Sequence, residues 1–355
     1  MKPRPPGQLG LFPELERAVT GEPPPIDKWT VDEQQPLFSA SRPAPVHLVD
    51  FPPRMAEIAA QIPAGIRMGT SSWTFPGWPI WGGRYSMDRL VREGLAAYAT
   101  HPLLQTVGID RTWYRPIPAS EFASMQAQVP GDFSFLVKAH EDLTVARFPK
   151  HPRYGARAGQ LNPRFLDVQY ALDEVVRPFI EGLGEGVLLF PFPPQADLGQ
   201  RGFDFPAKLR HFLGALPRGR WRYAVEVRNA GALTPAYAAA LEAENVLPAL
   251  VGWAGMPSVV EQAKRTRALD RPERVVRWML HPGLNYEDAK DDYSPFNVLK
   301  APDPTGRDGV VEVIRGAKAA WVVVNNKAEG CAPLSIVALA ERLAAAEIGA
   351  VAPAG

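Results

Sequence analysis

The apolar residues of the chain recur as short runs from Ile66 onwards, and each run ends in a polar cluster. Continuous apolar runs of this length are typical of strands that are buried on both faces, as in a parallel sheet. The pattern predicts eight strands: IRMGT (66–70), LLQTVGI (103–109), FSFLVKA (133–139), VLLFPF (187–192), RYAVEV (222–227), VLPALVG (246–252), RVVRWML (274–280) and AAWVVVN (319–325).

Stretches with apolar residues near helical spacing lie between these runs. The predicted helices are Asp88–Thr100, Arg164–Leu183, Phe205–Leu216, Pro235–Glu244, Arg307–Lys318 and Pro333–Glu347. Eight such units over roughly 280 residues fit an α/β fold of the TIM-type (β/α)8 barrel class. A doubly wound open sheet is the alternative, but it usually has fewer strands and often a glycine-rich first turn. The first turn here, GTSSWTFPGW, lacks that motif, so we predict a barrel over residues 64–350.

The part of the chain before the barrel is rich in proline. About a third of the 38 prolines precede Arg54. Because proline fixes φ and has no amide hydrogen, we predict that residues 1–63 form an extended Pro-rich arm without a regular helix or central strand. The arm either drapes over the barrel or extends as a flexible tail. The apolar residues that would attach it are Trp29, Leu37, Phe38 and Phe51.

Composition narrows the possible classes of protein. The 355 residues are 46% hydrophobic and 22% charged, and the formal net charge is +1, so the chain is not a polycation. The single cysteine, Cys331, excludes an intrachain disulfide and is interpreted as a packed thiol. No apolar run approaches the ~20 residues of a membrane helix, and the N-terminus resembles no signal peptide. We expect a cytoplasmic protein with no membrane partner.

The C-terminal ends of barrel strands are where function gathers in such folds. Lys138 ends an otherwise apolar strand and needs a partner if it is buried; Glu226, two units further on, is the candidate. Lys138 is then either a catalytic or anion-binding ammonium or one half of a structural ion pair. Asp110 is either a general base or the residue that orients Arg111.

Cations from several strands meet at the same rim. Arg228 and Arg277, beside Lys138, would suit a carboxylate or phosphate, and surface salt bridges are the alternative. Because His140 and His281 alone of six histidines fall near strand ends, we predict no metal and no cofactor. The predicted catalytic residues are Asp110, Lys138 and Glu226. The predicted substrate-binding residues are Ser72, Trp73, Arg111, Thr112, Tyr114, Arg228, Arg277, Asn325 and Asn326.

Six segments in order carry a resemblance to a known family: GTSSWTFPGW, VGIDRTWYRP, FSFLVKAHEDLT, VLLFPFPPQ, YAVEVRN and VVVNNKAEGCA. Over Ile66–Leu343 the chain resembles the YecE-like family, numbered seventy-two among domains of unknown function. The resemblance implies a TIM-type barrel and supplies no established reaction. The chain departs from the family where Asn229 and Cys331 stand at positions commonly held by histidine. If those histidines are catalytic in relatives, this chain is an altered or inactive member.

The arm contains one short apolar segment, GQLGLF (7–12). Gln8, Leu9, Leu11 and Phe12 fit the pattern Q-L-x-L-F, which resembles the motif by which bacterial replication and repair proteins dock onto the DNA sliding clamp. Such a motif places apolar anchors in a preformed pocket, while the glutamine fixes orientation by hydrogen bonds. The alternative is that these residues pack on the barrel.

These observations lead to three functional hypotheses. The first is a metal-independent enzyme that acts on a small anionic or phosphorylated substrate by acid/base chemistry. Asp110 or Glu226 would move a proton, and Lys138 and Arg228 would stabilise negative charge; hydrolase, lyase and isomerase all stay open. The second is a nucleic-acid repair or processing factor recruited by the arm, and the third is a non-catalytic ligand-binding barrel.

The nucleic-acid hypothesis uses the aromatic and basic residues of the rim. Bases would stack on aromatic rings, or these rings would instead cap the barrel. The candidate stacking residues are Trp73, Trp78, Trp81, Trp113 and Tyr114, and the candidate phosphate contacts are Arg84, Arg111 and Arg115. The acidic, proline-containing stretch from Asn285 to Thr305 is either a moving lid or a fixed loop.

Overall fold

Eight parallel strands close into a barrel in chain order in the computed structural model, which describes residues 44–199 and 202–351. The predicted α/β TIM-type barrel is confirmed. The strands are β1 (Ile66–Thr70), β2 (Thr106–Ile109), β3 (Ser134–Lys138), β4 (Val187–Phe192), β5 (Arg222–Val227), β6 (Leu247–Gly252), β7 (Glu273–Trp278) and β8 (Ala319–Val324). The ring closes through β1 and β8, which pair along all of β1 from Ile66↔Ala320 to Thr70↔Val324.

Helices follow the strands on the outside of the barrel. They are α1 (Pro53–Gln61), α2 (Met87–Tyr98), α3 (Ala119–Gln126), α4 (Val168–Tyr170), α5 (Arg177–Gly182), α6 (Phe205–Gly214), α7 (Pro235–Ala243), α8 (Val259–Arg265), α9 (Tyr286–Tyr293), α10 (Pro304–Ile314) and α11 (Ala332–Val351). A π-helical stretch, Ala171–Val176, joins α4 to α5. The sequence pattern did not predict α1, α3, α8 or α9, which are seven to nine residues long.

One prediction about the N-terminal region is wrong. The interpretation of residues 1–63 excluded a regular helix, yet α1 lies within them. Its prolines stand at the helix start, with Pro52 as N-cap and Pro53 in the first turn, where a missing amide hydrogen costs nothing. Phe51 packs against the core, with its ring 4.4 Å from that of His101. Trp29, Leu37 and Phe38 lie outside the described residues.

The barrel interior is filled by inward-pointing side chains, as parallel strands with alternating faces require. This inner cluster comprises Leu136, Val187, Leu189, Ala224, Leu247, Ala249, Val275, Trp321 and Val323. Trp321 is its largest member, and its Nε1 donates a hydrogen bond to Ser134 Oγ at 2.9 Å. The guanidinium of Arg67 lies over the same indole, 5.8 Å from the ring centre. Trp321 therefore connects β8 to β1 and β3 within the ring.

A long segment, residues 139–167, follows β3 and is held by ion pairs. Asp142 lies 3.3 Å from both Arg157 Nη1 and Arg164 Nη1. Asn162 Nδ2 donates to the carbonyl oxygens of Asp142 and Val145, at 2.7 and 2.6 Å. These bonds fix the segment beside the C-terminal ends of the strands.

Replacing Trp321 by alanine should destabilise the fold strongly. The change removes a buried ring and leaves a cavity inside a closed barrel, so we expect a loss of ~3–5 kcal/mol in the free energy of unfolding. Denaturant titration followed by circular dichroism measures it. Leu161→Ala, at a side chain that is 64% exposed, is the control and should change the value by less than about 0.5 kcal/mol. Equal effects of the two variants would contradict the assignment of Trp321 to the core.

Candidate functional site

Five charged side chains meet inside the barrel at the C-terminal ends of β2, β3, β5 and β7, and we call them the mouth cluster. Lys138 Nζ lies 2.9 Å from Asp110 Oδ2. Arg277 Nη2 lies 3.6 Å from Asp110 Oδ1, and its Nη1 lies 2.6 Å from Glu226 Oε2. Arg228 Nε donates to Glu226 Oε1 at 2.6 Å. All three predicted catalytic residues and two predicted binding residues therefore come together.

The predicted pairing of Lys138 with Glu226 is wrong. Lys138 pairs with Asp110 because β2 and β3 are neighbours, and neighbouring strands are ~4.8 Å apart. Glu226 is two strands away from Lys138, and there it binds Arg277 and Arg228 instead. The long side chain of Arg277 reaches both carboxylates and joins the two pairs into one network.

Burial and neighbouring charges shift the pKa values of Glu226 and Lys138. Glu226 and Arg277 are fully buried. Burial alone would raise the pKa of Glu226, but Arg277 and Arg228 outweigh it and lower the pKa to about 2. Burial lowers the pKa of Lys138 to about 8; Asp110 opposes this effect, and the two arginines add to it. Three cations and two carboxylates leave one net positive charge, which suits an anionic ligand.

Several polar atoms of the cluster lack hydrogen bonds. Arg277 Nε and Nη2 and Asp110 Oδ1 are buried and have no hydrogen-bond partner among the described residues. Arg277 Nη2 and Asp110 Oδ1 lie 3.6 Å apart, which is longer than a hydrogen bond. A buried polar group without a partner costs ~1–3 kcal/mol. Three polar atoms of the cluster are therefore unbonded inside the protein.

Aromatic side chains lie next to the cluster. The guanidinium of Arg228 is 3.9 Å from the ring centre of Trp253, and the rings of Trp253 and Tyr286 are 5.9 Å apart. Lys327 Nζ lies 4.3 Å from the ring centre of Tyr286. Burial raises the pKa of Tyr286 well above its usual value, and the proximity of Tyr114 and Asp110 adds to this. The stretch predicted as a lid or loop thus contributes a helix, α9, whose first residue packs over the mouth.

A cavity of about 240 Å³ lies beside Asp110, between the ends of β1 and β2. It is lined by Ser71, Ser72, Trp73, Thr74, Val91, Gly108, Ile109, Asp110, Arg111, Arg115 and Ile117. Ser72 Oγ and Thr74 Oγ1 are hydrogen-bonded at 2.9 Å. Arg111 pairs with Glu121 at 2.5 Å, so Asp110 does not orient it, contrary to one of the two predicted roles. Asp110 links this cavity to the mouth cluster.

Three of the predicted binding residues form hydrogen bonds within the protein, although Asn326 Nδ2 has no partner among the described residues. Thr112 Oγ1 lies 2.8 and 2.6 Å from the carbonyl oxygens of Ile109 and Lys138. Asn325 Nδ2 donates to Ser71 Oγ at 2.9 Å. Asn326 Oδ1 accepts from the indole of Trp78 and from the amide of Ala332, both at 2.9 Å. These residues tie strand ends together around the mouth.

The tryptophans of the rim are buried. Trp73 Nε1 donates to the carbonyl of Leu90 at 3.0 Å, and Trp81 Nε1 donates to that of Phe75 at 2.9 Å. The rings of Trp78 and Trp81 stack on each other at 6.4 Å. Trp73, Trp78 and Trp81 therefore cap the barrel, which is the alternative to base stacking. Arg84 and Arg115 are exposed.

Sequence reasoning missed two residues of this region. Tyr286 carried no signal except its position after β7, and Glu121 lies on a helix that was not predicted. Among residues 44–199 and 202–351, no three histidine, cysteine or acidic residues group to hold a metal. Within the same ranges, no helix combines the length and apolar character needed to cross a bilayer.

Comparison with known proteins identifies the family. The family described as "Protein of unknown function DUF72" matches residues 67–354. The chain belongs to this family. The YecE-like resemblance is thereby confirmed, since the two names denote one family. No curated protein matches the chain.

Two crystal structures of DUF72 family proteins share the fold. One is from Enterococcus faecalis V583, with 18% identity and a TM-score of 0.51, covering 78% of this chain and 95% of that one. The other is from Thermotoga maritima MSB8, with the same identity and TM-score, covering 78% of this chain and 98% of that one. At this identity the likeness concerns the fold alone.

The pKa of Lys138 should fall further when Asp110 loses its charge. Asp110 raises the Lys138 pKa against the effect of burial, so Asp110→Asn should move it further below about 8. The NMR signal of the lysine Cε carbon, followed against pH, measures the change. Asp308→Asn removes an exposed carboxylate paired with Arg342 and should leave the Lys138 signal unchanged. A Lys138 pKa that rises in Asp110→Asn would contradict the observed pairing.

Proposed function

We propose that the mouth of the barrel binds a small anionic or phosphorylated substrate and transfers protons to and from it without a metal. The observation that carries the proposal is the mouth cluster itself. It places a fully buried guanidinium with two unbonded nitrogens next to a carboxylate with an unbonded oxygen. Such perturbed, water-poor charge networks are typical of active sites.

The cavity beside Asp110 is the proposed binding site. Arg115 is exposed and has no ion pair among the described residues, so its charge is available to an anion. Arg111 contributes a second guanidinium, partly neutralised by Glu121. The hydroxyls of Ser72 and Thr74 face the same space and suit the oxygens of a phosphate or carboxylate. Asp110 completes the wall and is the residue placed to contact the reacting atoms.

Proton transfer is assigned to Asp110 and Lys138. A lysine with a pKa of about 8 exchanges its proton far more readily near neutral pH than an exposed lysine does. Its 2.9 Å contact with Asp110 allows a proton to pass between the two side chains. Glu226, with a pKa of about 2, stays ionised and serves to position Arg228 and Arg277. Arg277, with Nη2 3.6 Å from Asp110 Oδ1, adds positive potential behind that carboxylate.

The two positions where the family commonly has histidine have structural roles here. Asn229 and the backbone of Gln195 exchange two hydrogen bonds, at 3.1 and 3.0 Å, which join the loops after β4 and β5. Cys331 is fully buried, and burial raises its pKa to about 12, so its thiol is neutral. Neither side chain belongs to the mouth cluster. The proposed chemistry therefore does not depend on the missing imidazoles.

A metabolite-conversion experiment tests the proposal. The full-length protein is incubated with a mixture of small phosphorylated and carboxylate compounds, and consumption is followed by mass spectrometry. We expect at least one anionic compound to be consumed, and we expect Asp110→Asn to slow its consumption by about 100-fold or more, as for loss of an acid/base group. The rate should persist in EDTA.

Asp308→Asn is the matched control, because it makes the same chemical change at an exposed carboxylate. It should retain the wild-type rate, and circular dichroism should show that both variants are folded. A wild-type rate in Asp110→Asn, or no conversion of any anionic compound, would contradict the proposed function.

The segment from Gln8 to Phe12 supports a second proposal, recruitment to the DNA sliding clamp. It rests on the sequence alone, because residues 1–43 lie outside the described residues. The fit of QLGLF to the clamp-docking pattern and its place in the sequence before the first barrel strand are the supporting observations.

Purified sliding clamp should retain the full-length protein on a column, and Leu11→Ala combined with Phe12→Ala should abolish retention. The two side chains are the apolar anchors of the motif, so their loss removes most of the contact. Leu37→Ala combined with Phe38→Ala makes a comparable change elsewhere in the same region and should not affect retention. Equal retention of all three proteins would exclude docking through this motif.

A further inference from the structure

The cavity beside Asp110 lies where β1 and β2 separate. The two strands pair at two positions, whereas β1 and β8 pair at five. Directly after β1 the chain turns towards β8, and the amide of Ser71 donates to the carbonyl oxygen of Val324 at 3.0 Å. Strand β2 continues to Ile109 on the other side of the gap. The cavity of about 240 Å³ occupies this gap between the two strand ends.

The exposure of its lining residues divides the cavity into a rim and a floor. Arg115 is exposed, Val91 is 40% exposed, and the side chain of Arg111 is 34% exposed, so these three residues form the rim. Ile109 and Ile117 are 2% and 4% exposed and form the floor. The two guanidinium groups therefore lie at the entrance, and apolar side chains continue inwards.

The charge at the rim matches one negative charge. Arg111 is paired with Glu121 at 2.5 Å, whereas Arg115 has no ion pair within residues 44–199 and 202–351. Two cations and one carboxylate leave one net positive charge. A carboxylate group carries one negative charge, and a phosphate monoester carries about 1.5 to 2 at pH 7. The rim therefore favours a monocarboxylate over a phosphate monoester.

The inner part of the cavity favours hydrocarbon. Trp73, Val91, Ile109 and Ile117 contribute its apolar lining. The indole N–H of Trp73 already donates to a backbone carbonyl oxygen at 3.0 Å, so this side chain has no polar group left for a ligand. A sugar or other polyol would bury hydroxyl groups against these residues without partners, which is unfavourable. An aliphatic chain has no such groups to satisfy.

The volume of the cavity limits the length of that chain. A cavity of about 150 Å³ holds benzene, with its six carbons. In proportion, a cavity of about 240 Å³ holds about ten non-hydrogen atoms. A carboxylic acid with eight carbons has that number of atoms, and a longer chain would have to extend into solvent.

We infer that the cavity beside Asp110 binds a short-chain aliphatic monocarboxylate of about six to eight carbons. Arg115 contacts the carboxylate at the rim, and the chain runs past Val91 to Ile117 at the floor. The inference rests on the proposed function in taking this cavity as the substrate site, and it adds the chemical class of the substrate.

NMR titration of the full-length protein, labelled at isoleucine and valine methyl groups, tests the inference. The probes are butanoate, hexanoate, octanoate and decanoate, with 1-octanol and octyl phosphate for comparison. We expect the methyl signals of Val91 and Ile117 to shift saturably while that of Ile58, on α1, does not. Affinity should rise about threefold to fourfold per methylene up to octanoate, because each methylene leaves water, and should not rise further for decanoate. Octanol should bind at least tenfold more weakly than octanoate.

Two variants separate the head-group contact from the chain contact. Arg115→Ala should weaken octanoate binding about tenfold and leave octanol binding unchanged, and Arg84→Ala is the control because it removes an exposed arginine that does not line the cavity. Ile117→Ala deepens the floor, so decanoate should then bind more tightly than octanoate. Ile58→Ala makes the same change at a buried isoleucine elsewhere and should leave octanoate preferred. Circular dichroism checks the folding of each variant, and Arg115→Ala alone decides if Ile117→Ala does not fold.

Three results would overturn the inference: affinity that does not depend on chain length, octyl phosphate that binds more tightly than octanoate, or octanoate binding that Arg115→Ala does not weaken. These results are distinct from failure of the proposed function, because the titration measures binding without turnover. Carboxylate binding without conversion of any anionic compound would support the inference and contradict the proposed function. Conversion of an anionic compound without carboxylate binding would do the reverse.

Discussion

The contact between Arg277 and Glu226 organises the upper half of this barrel. Both side chains are fully buried, and their charges are tolerable there only because they neutralise each other. Arg277 also approaches Asp110, and through it Lys138, so one guanidinium connects both carboxylates and the lysine. The mouth therefore behaves as one electrostatic unit. Its spare positive charge follows from having three cations but two carboxylates.

Sequence reasoning predicted the barrel because its strands are apolar on both faces and therefore appear as continuous runs. β4 and β5 have the predicted bounds, whereas β2 begins at Thr106 rather than at Leu103, since the residues before it form a turn. The helices α3, α8 and α9 escaped detection because seven or eight residues give too few turns for a clear period. The helix α1 escaped because prolines that begin a helix look the same in sequence as prolines that prevent one.

The sequence predicted which residues form the site but not which of them pair with each other. Lys138 and Glu226 were both expected at the mouth, because each lies near the C-terminal end of an apolar strand, where function gathers in such barrels. Which partner each residue takes depends on strand adjacency and on the reach of Arg277 across the interior, and neither is encoded locally. The cavity of about 380 Å³ beside segment 139–167 could not be predicted from the sequence. The segment is held in place by ion pairs between residues that come close only after folding.

The seam between β1 and β8 has a consequence for how the protein is made. These strands are separated by almost the whole folded part of the chain, yet they pair along all of β1. During synthesis, β1 must wait with one edge unpaired until β8 has left the ribosome, and exposed edges invite association with other chains. Arg67, whose guanidinium lies over Trp321 in the finished ring, is a charged residue on that strand, and charged side chains on an edge strand disfavour pairing with other chains.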